Sequence, residues 1–118
     1  MDKRLDRYNA RALQINCEAV KNDNRETASI ARIDMALGGG GGSFGGSTDN
    51  SVRGLVVLPE YVLTGFPTVE SIPEWTDKAA LAQDGPEYDA LAKIAQSKRI
   101  FLAGNSYETD RHFPGIYF

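Results

Sequence analysis

Apolar and polar positions along the chain alternate in two distinct periods. Leu13, Ile15, Cys17 and Ala19 alternate with Gln14, Asn16 and Glu18, the period-two pattern of a strand with one buried face. Asp23 or Asn24 is placed to cap a helix in which Ala28, Ile30, Ala31, Ile33 and Leu37 recur at helical spacing, with Gly38 as its stop. Leu55-Val56-Val57-Leu58 is continuously apolar and predicts a strand buried on both faces, closed by Pro59. Asp84-Gly85-Pro86-Glu87 predicts a second helix capped by Asp84, with Tyr88, Leu91, Ala92 and Ala95 on one face and Lys98 and Arg99 at its end. Ile100 to Gly104 predicts a third buried strand, and a fourth is expected to begin within 114–118. The strand-helix-strand-helix-strand order predicts an α/β fold with right-handed crossovers and a largely parallel sheet.

The segments between these elements divide the chain. Residues 1–11 carry Lys3, Arg4, Arg7 and Arg11 and read as a flexible N-terminal arm; 12–118 read as one domain. Residues 38–51 include seven of the twelve glycines. A phosphate-cradling loop needs a strand before it and Gly-Lys-Ser/Thr opening a helix after it. Here a helix precedes, and the next lysine after Lys21 is Lys78, so a flexible loop is the reading. The stretch from Glu60 to Asp89 is acidic and predicts an exposed, irregular segment around Pro67, Pro73 and Trp75.

Composition narrows the class. The 118 residues are 42% hydrophobic and 25% charged, which is globular rather than disordered. Thirteen basic against sixteen acidic residues give a net charge of −3, without the basic excess typical of nucleic-acid binders. One cysteine excludes an internal disulfide framework and a multi-cysteine zinc site. Nothing approaches the roughly 18 apolar residues of a membrane span, and the polar N-terminus does not read as a signal peptide. A cytoplasmic location without membrane or nucleic-acid partners is expected.

Glu60 is the leading candidate for chemistry. It follows the most apolar strand at its carboxyl end, where open α/β sheets place their ligand sites. A carboxylate at that rim suits a general base.

The run Leu55-Val56-Val57-Leu58-Pro59-Glu60-Tyr61-Val62-Leu63-Thr64-Gly65-Phe66 resembles the first catalytic motif of the nitrilase, or carbon–nitrogen hydrolase, superfamily. Asp84-Gly85-Pro86, Phe101-Leu102-Ala103-Gly104, Tyr107-Glu108 and Pro114 to Phe118 continue the resemblance in order, with the glycine-rich loop as a departure. It implies the N-terminal part of an α-β-β-α sandwich. It also implies a Glu-Lys-Cys triad that cleaves non-peptide amides or nitriles without metal or organic cofactor. In that scheme the glutamate deprotonates the cysteine thiol, the thiolate attacks carbon, and the lysine offsets the developing negative charge. Glu60 matches the base. The lysine and cysteine of the family lie beyond the last matched run, so the chain reads as truncated before both, and alone it is expected to be inactive. Family members commonly form homo-oligomers.

Cys17 lies on the buried side of the first strand and reads as a small core residue. Lys78, Lys93 and Lys98 read as solvated. Glu108 follows the third strand on the side of Glu60 and matches a family glutamate, either helping to orient the site or serving only as a loop carboxylate. Tyr61 and Phe66 line the pocket mouth or simply pack. His112 has no neighbouring histidine or cysteine to share a metal. Two other classes stand beside the hydrolase: a non-catalytic interaction module that pairs with a full-length relative, and a small nucleotide-binding α/β domain, which the placement of the glycine cluster disfavours.

Overall fold

The computed structural model describes residues 8–17, 25–38, 53–113 and 115–116. The elements are β1 (Tyr8–Ala12), α1 (Arg25–Ala36), β2 (Arg53–Val57), α2 (Ile72–Ala79), α3 (Pro86–Lys98) and β3 (Ile100–Ala103). They make a mixed α/β unit around a three-stranded sheet ordered β1-β2-β3, parallel throughout. The expected strand-helix alternation is present, with α2 as an addition.

β1 lies earlier than the period-two pattern predicts. It pairs Tyr8 with Arg53 through Ala12 with Val57, so part of the expected N-terminal arm is a strand. Its residues are all exposed, and the template is β2 rather than any apolar pattern of its own. The alternation at Leu13, Ile15 and Cys17 is nonetheless expressed, since all three pack against the core while Gln14 and Asn16 face outward. Leu13 N–H still donates to Val57 O at 2.8 Å. Ala19, the expected caps Asp23 and Asn24, and residues 39–51 of the expected loop fall outside the described residues.

One face of the sheet is covered. Ile33 and Leu37 of α1 and Ile94 of α3 form a core with Val56, Leu58, Val62, Leu63, Leu81 and Ile100. Lys98, expected in solvent, has a side chain only 4% exposed, with its ammonium 3.9 Å from Asp34, so it joins α3 to α1. Long lysine stems pack in this way while the charge keeps a partner. No element among the described residues covers the opposite face, which corrects the expectation of a strand buried on both sides. By register Leu55, Val57, Phe101 and Ala103 share it with Tyr8, Ala10 and Ala12. Val57 is 43% exposed and Phe101 56%.

Helix ends follow local chemistry. Gly38, at φ 101°, takes the left-handed turn after α1 without a Cβ clash. α3 starts with Pro86 after Gly85, which makes no side-chain cap, so the expected Asp84 cap is not used. It ends at Arg99 in the left-handed region, its N–H held by Ala95 and Gln96 carbonyls. α2 stands where the acidic stretch from Glu60 to Asp89 predicts an exposed, irregular segment. Pro73 sits in its first turn, where no intrahelical donor is lost. The Ser71 N–H and hydroxyl both donate to the Glu74 carboxylate, at 2.8 and 2.7 Å, the carboxylate half of a capping box. Ile116, expected in a fourth strand, is outside any strand; Pro114, Tyr117 and Phe118 are outside the described residues.

Candidate functional site

The central strand β2 delivers Pro59 and Glu60 to its carboxyl end. Leu58 N–H donates to Ala103 O at 2.7 Å and is the last link between β2 and β3. The chain then turns sharply. Tyr61 has φ 50°, its carbonyl accepts from the N–H groups of Thr64 (3.1 Å) and Gly65 (2.7 Å), and Gly65 has φ 68°. A left-handed conformation costs a side-chain-bearing residue about 1–2 kcal/mol, so something must hold Tyr61. Val62, Leu63 and Thr64 do so from below, each essentially buried. From the side, Tyr61 N–H donates to Asn105 Oδ1 at 2.9 Å. From above, its ring stacks on Tyr107, centroids 4.4 Å apart.

Aromatic contacts extend this support in both directions. Phe66 meets Tyr61 edge to face at 5.2 Å, and Trp75 of α2 meets Tyr107 at 6.5 Å. Burial first, then a hydrogen bond and charge interaction with Tyr107, and finally the negative charge of Glu60 raise the Tyr61 phenol above its ordinary pKa. Glu60 itself is exposed at the turn. Of the two expected roles for Tyr61 and Phe66, the structure shows mutual packing.

Glu108 is not brought onto Glu60 in this arrangement. It forms a parallel bridge with Leu81, in which Leu81 N–H donates to Tyr107 O at 2.8 Å and Thr109 N–H to Leu81 O at 3.0 Å. Its carboxylate accepts from the Tyr88 hydroxyl of α3 and from Gln83 Nε2 at 3.0 Å. Burial and Glu108 together push the Tyr88 phenol up to about 12, burial being the larger cause. Glu108 thus pins the segment whose preceding residue, Tyr107, supports the Glu60 turn.

Cys17 lies closer to Glu60 than its sequence position suggests. Its thiol donates to Glu60 O at 3.7 Å, and the residue is half-buried against the core. The partner is a backbone carbonyl, which accepts a hydrogen bond but cannot take the proton away as a base must. Lys78 meets Glu70 at 3.1 Å, and Lys98 meets Asp34. Both lysines are thus engaged with carboxylates other than Glu60.

A cleft of about 560 Å³ opens against α3 and β3, lined by Leu58, Leu63, Leu91, Ile100, Asn105 and Glu108 among others. Glu60, Tyr61 and Phe66 do not line it, so the cleft and the carboxylate are separate features that share Asn105. Sequence reasoning misses Asn105, and it names Tyr107 only within the Tyr107-Glu108 match, without a role. The third-strand motif ends just before Asn105 and marks only its neighbourhood. Among the described residues no cluster of three or more histidine, cysteine or acidic residues is arranged to hold a metal, and no helix is long and apolar enough to cross a membrane. Comparison with protein-family models, with curated proteins and with solved structures finds no match to this chain.

Proposed function

We propose that this chain supplies the general base of a carbon–nitrogen hydrolase of the nitrilase type, and that Glu60 is that base. The observation that carries the reading is the placement of Glu60 at the carboxyl end of the central parallel strand, on a turn anchored by buried residues and an aromatic stack. The carboxylate would take the proton of a cysteine thiol. The thiolate would attack the carbon of a small amide or nitrile, and a lysine would offset the negative charge formed on oxygen or nitrogen. The proton held by the glutamate would pass to the substrate nitrogen, which leaves as ammonia when the C–N bond breaks, in the nitrile case after one water has added to the thioimidate. A further water would cleave the thioester to the acid and return the thiol. No metal or organic cofactor takes part. Cys17 faces the carbonyl of Glu60 and the described lysines face other carboxylates or solvent. The 118 residues alone are therefore expected to be inactive.

The parent fold on this reading is an α-β-β-α sandwich in a cytoplasmic homo-oligomer. The apolar side of the sheet that the described residues leave uncovered supports it, because parallel strands are normally covered on both faces. The test is to sequence the source DNA past the codon for Phe118, then assay the encoded protein for ammonia release from simple amides and nitriles. The reading requires a frame that continues into a lysine and a strand ending in cysteine, with activity abolished by Glu60→Gln. A continuing frame whose hydrolysis ignores Glu60→Gln refutes it.

The same open face favours a second reading, a non-catalytic module that pairs with a full-length relative. A stop codon directly after Phe118, with co-purification of such a relative, would select it.

A further inference from the structure

We propose that Asn105 is a positioning residue that sets where the turn after β2 holds Glu60. The inference rests on the reading of Glu60 as the base, and it adds a residue that no motif marked. Its basis is one hydrogen bond and the conformation that bond secures. Tyr61, immediately after Glu60, has φ 50°, a region that only glycine, asparagine or aspartate visits readily. In that conformation the Tyr61 N–H has left the β2–β3 ladder, whose last bond is Leu58 N–H to Ala103 O. Asn105 Oδ1 accepts it at 2.9 Å.

The strand pair itself delivers Asn105 to that point. A Cβ on Gly104 would lie 3.3 Å from Leu58 Cβ, tighter than ordinary contact, so β3 runs unusually close to the end of β2. The next side chain, Asn105, is thereby brought within reach of the turn. The chemistry of the side chain also fits. An amide carbonyl accepts the N–H without adding charge, whereas aspartate in the same place would set a second carboxylate close to Glu60. Asn105 also lines the cleft against α3, so it joins that cleft to the Glu60 turn.

Two reporters in the full chain test this without requiring catalysis. The first is exchange of the Tyr61 amide by NMR, and the second is the alkylation rate of Cys17, whose thiol sits against the Glu60 carbonyl. In the unaltered chain the Tyr61 amide is expected to exchange at least tenfold slower than unpaired turn amides. Asn105→Leu should abolish that protection and raise Cys17 alkylation several-fold, while the Leu58 amide and the thermal midpoint change little. Asn105→Asp, which retains the acceptor, should restore Tyr61 protection. A merely structural role would instead lower the midpoint and expose all amides together, which overturns the proposal. So would a Tyr61 amide unprotected in the unaltered chain, a result that needs no variant to fold. Glu60→Gln should leave both reporters unchanged. Failure of the hydrolase reading would thus appear in the amide assay alone, and failure of the Asn105 assignment in these reporters alone.

Discussion

The ring of Tyr61 lies flat on the ring of Tyr107, with centroids 4.4 Å apart and planes within 2° of parallel. Tyr61 belongs to the turn after β2 and Tyr107 to the segment after β3, so the stack ties two strand exits together across the top of the sheet. Tyr107 is itself fixed through backbone bonds to Leu81 and by the Glu108 carboxylate on its other side. The turn that presents Glu60 is therefore braced by residues more than forty positions away.

Tyr107→Leu should remove the brace while keeping an apolar side chain. We expect a loss of about 1–2 kcal/mol in urea unfolding, since a well-placed aromatic pair contributes roughly 0.5–1.5 kcal/mol beyond its buried area. An unchanged midpoint would show that the stack carries no stability.

Trp75 is buried, and its indole Nε1 meets no hydrogen-bond acceptor among the described residues. Trp75→Phe exchanges lost contact area for release of an unsatisfied donor, a penalty of about 1–3 kcal/mol when left in place. The two nearly cancel, so the unfolding free energy should change by less than about 1 kcal/mol. A loss several times larger would mean that the N–H is satisfied in solution.

Stability should fall in alkali through Tyr88. Its folded pKa, raised from 10.0 to about 12, exceeds that of the unfolded chain. The contribution is fully present below pH 10 and is lost as pH rises towards 12. Tyr88→Phe should flatten that part of a pH titration of the unfolding midpoint.

The acid side should report Glu70. Its hydrogen bond with Lys78, followed by the backbone N–H groups of the preceding loop, lowers the carboxyl from 4.5 to about 2. This contribution is present above pH 4.5 and is lost as pH falls towards 2. The pair sits at the surface, so added salt should weaken the effect. Glu70→Gln should remove both the acid dependence and the salt response. A wild-type slope surviving in that variant would point to other carboxylates.

The strands and helices that were legible in the sequence are those whose own pattern decides their state. β2, β3 and α3 lie close to their predicted positions because apolar runs and a helical stripe leave little choice. β1 was misplaced because its exposed residues carry no burial signal; pairing with β2 defines it. α2 carries a readable signal, the capping-box spacing of Ser71 and Glu74, but the acidic composition of 60–89 points to solvent instead. Within the site, Glu60 could be found from the end of a strand. Asn105 and Tyr107 reach Tyr61, the residue after Glu60, only through the register of β2 on β3, and a linear pattern does not encode that alignment.

The sheet register has a consequence for how the molecule is made. Each ladder joins segments far apart in the chain, Tyr8 to Arg53 and Gly54 to Ile100. Such long loops must close before any contact compensates them, which slows folding relative to helical proteins of equal size. During synthesis β2 emerges well before β3, so its apolar run waits without one neighbour until translation has passed Ala103. Over that interval the unpaired edge of β2 is open to pairing with a strand of another molecule.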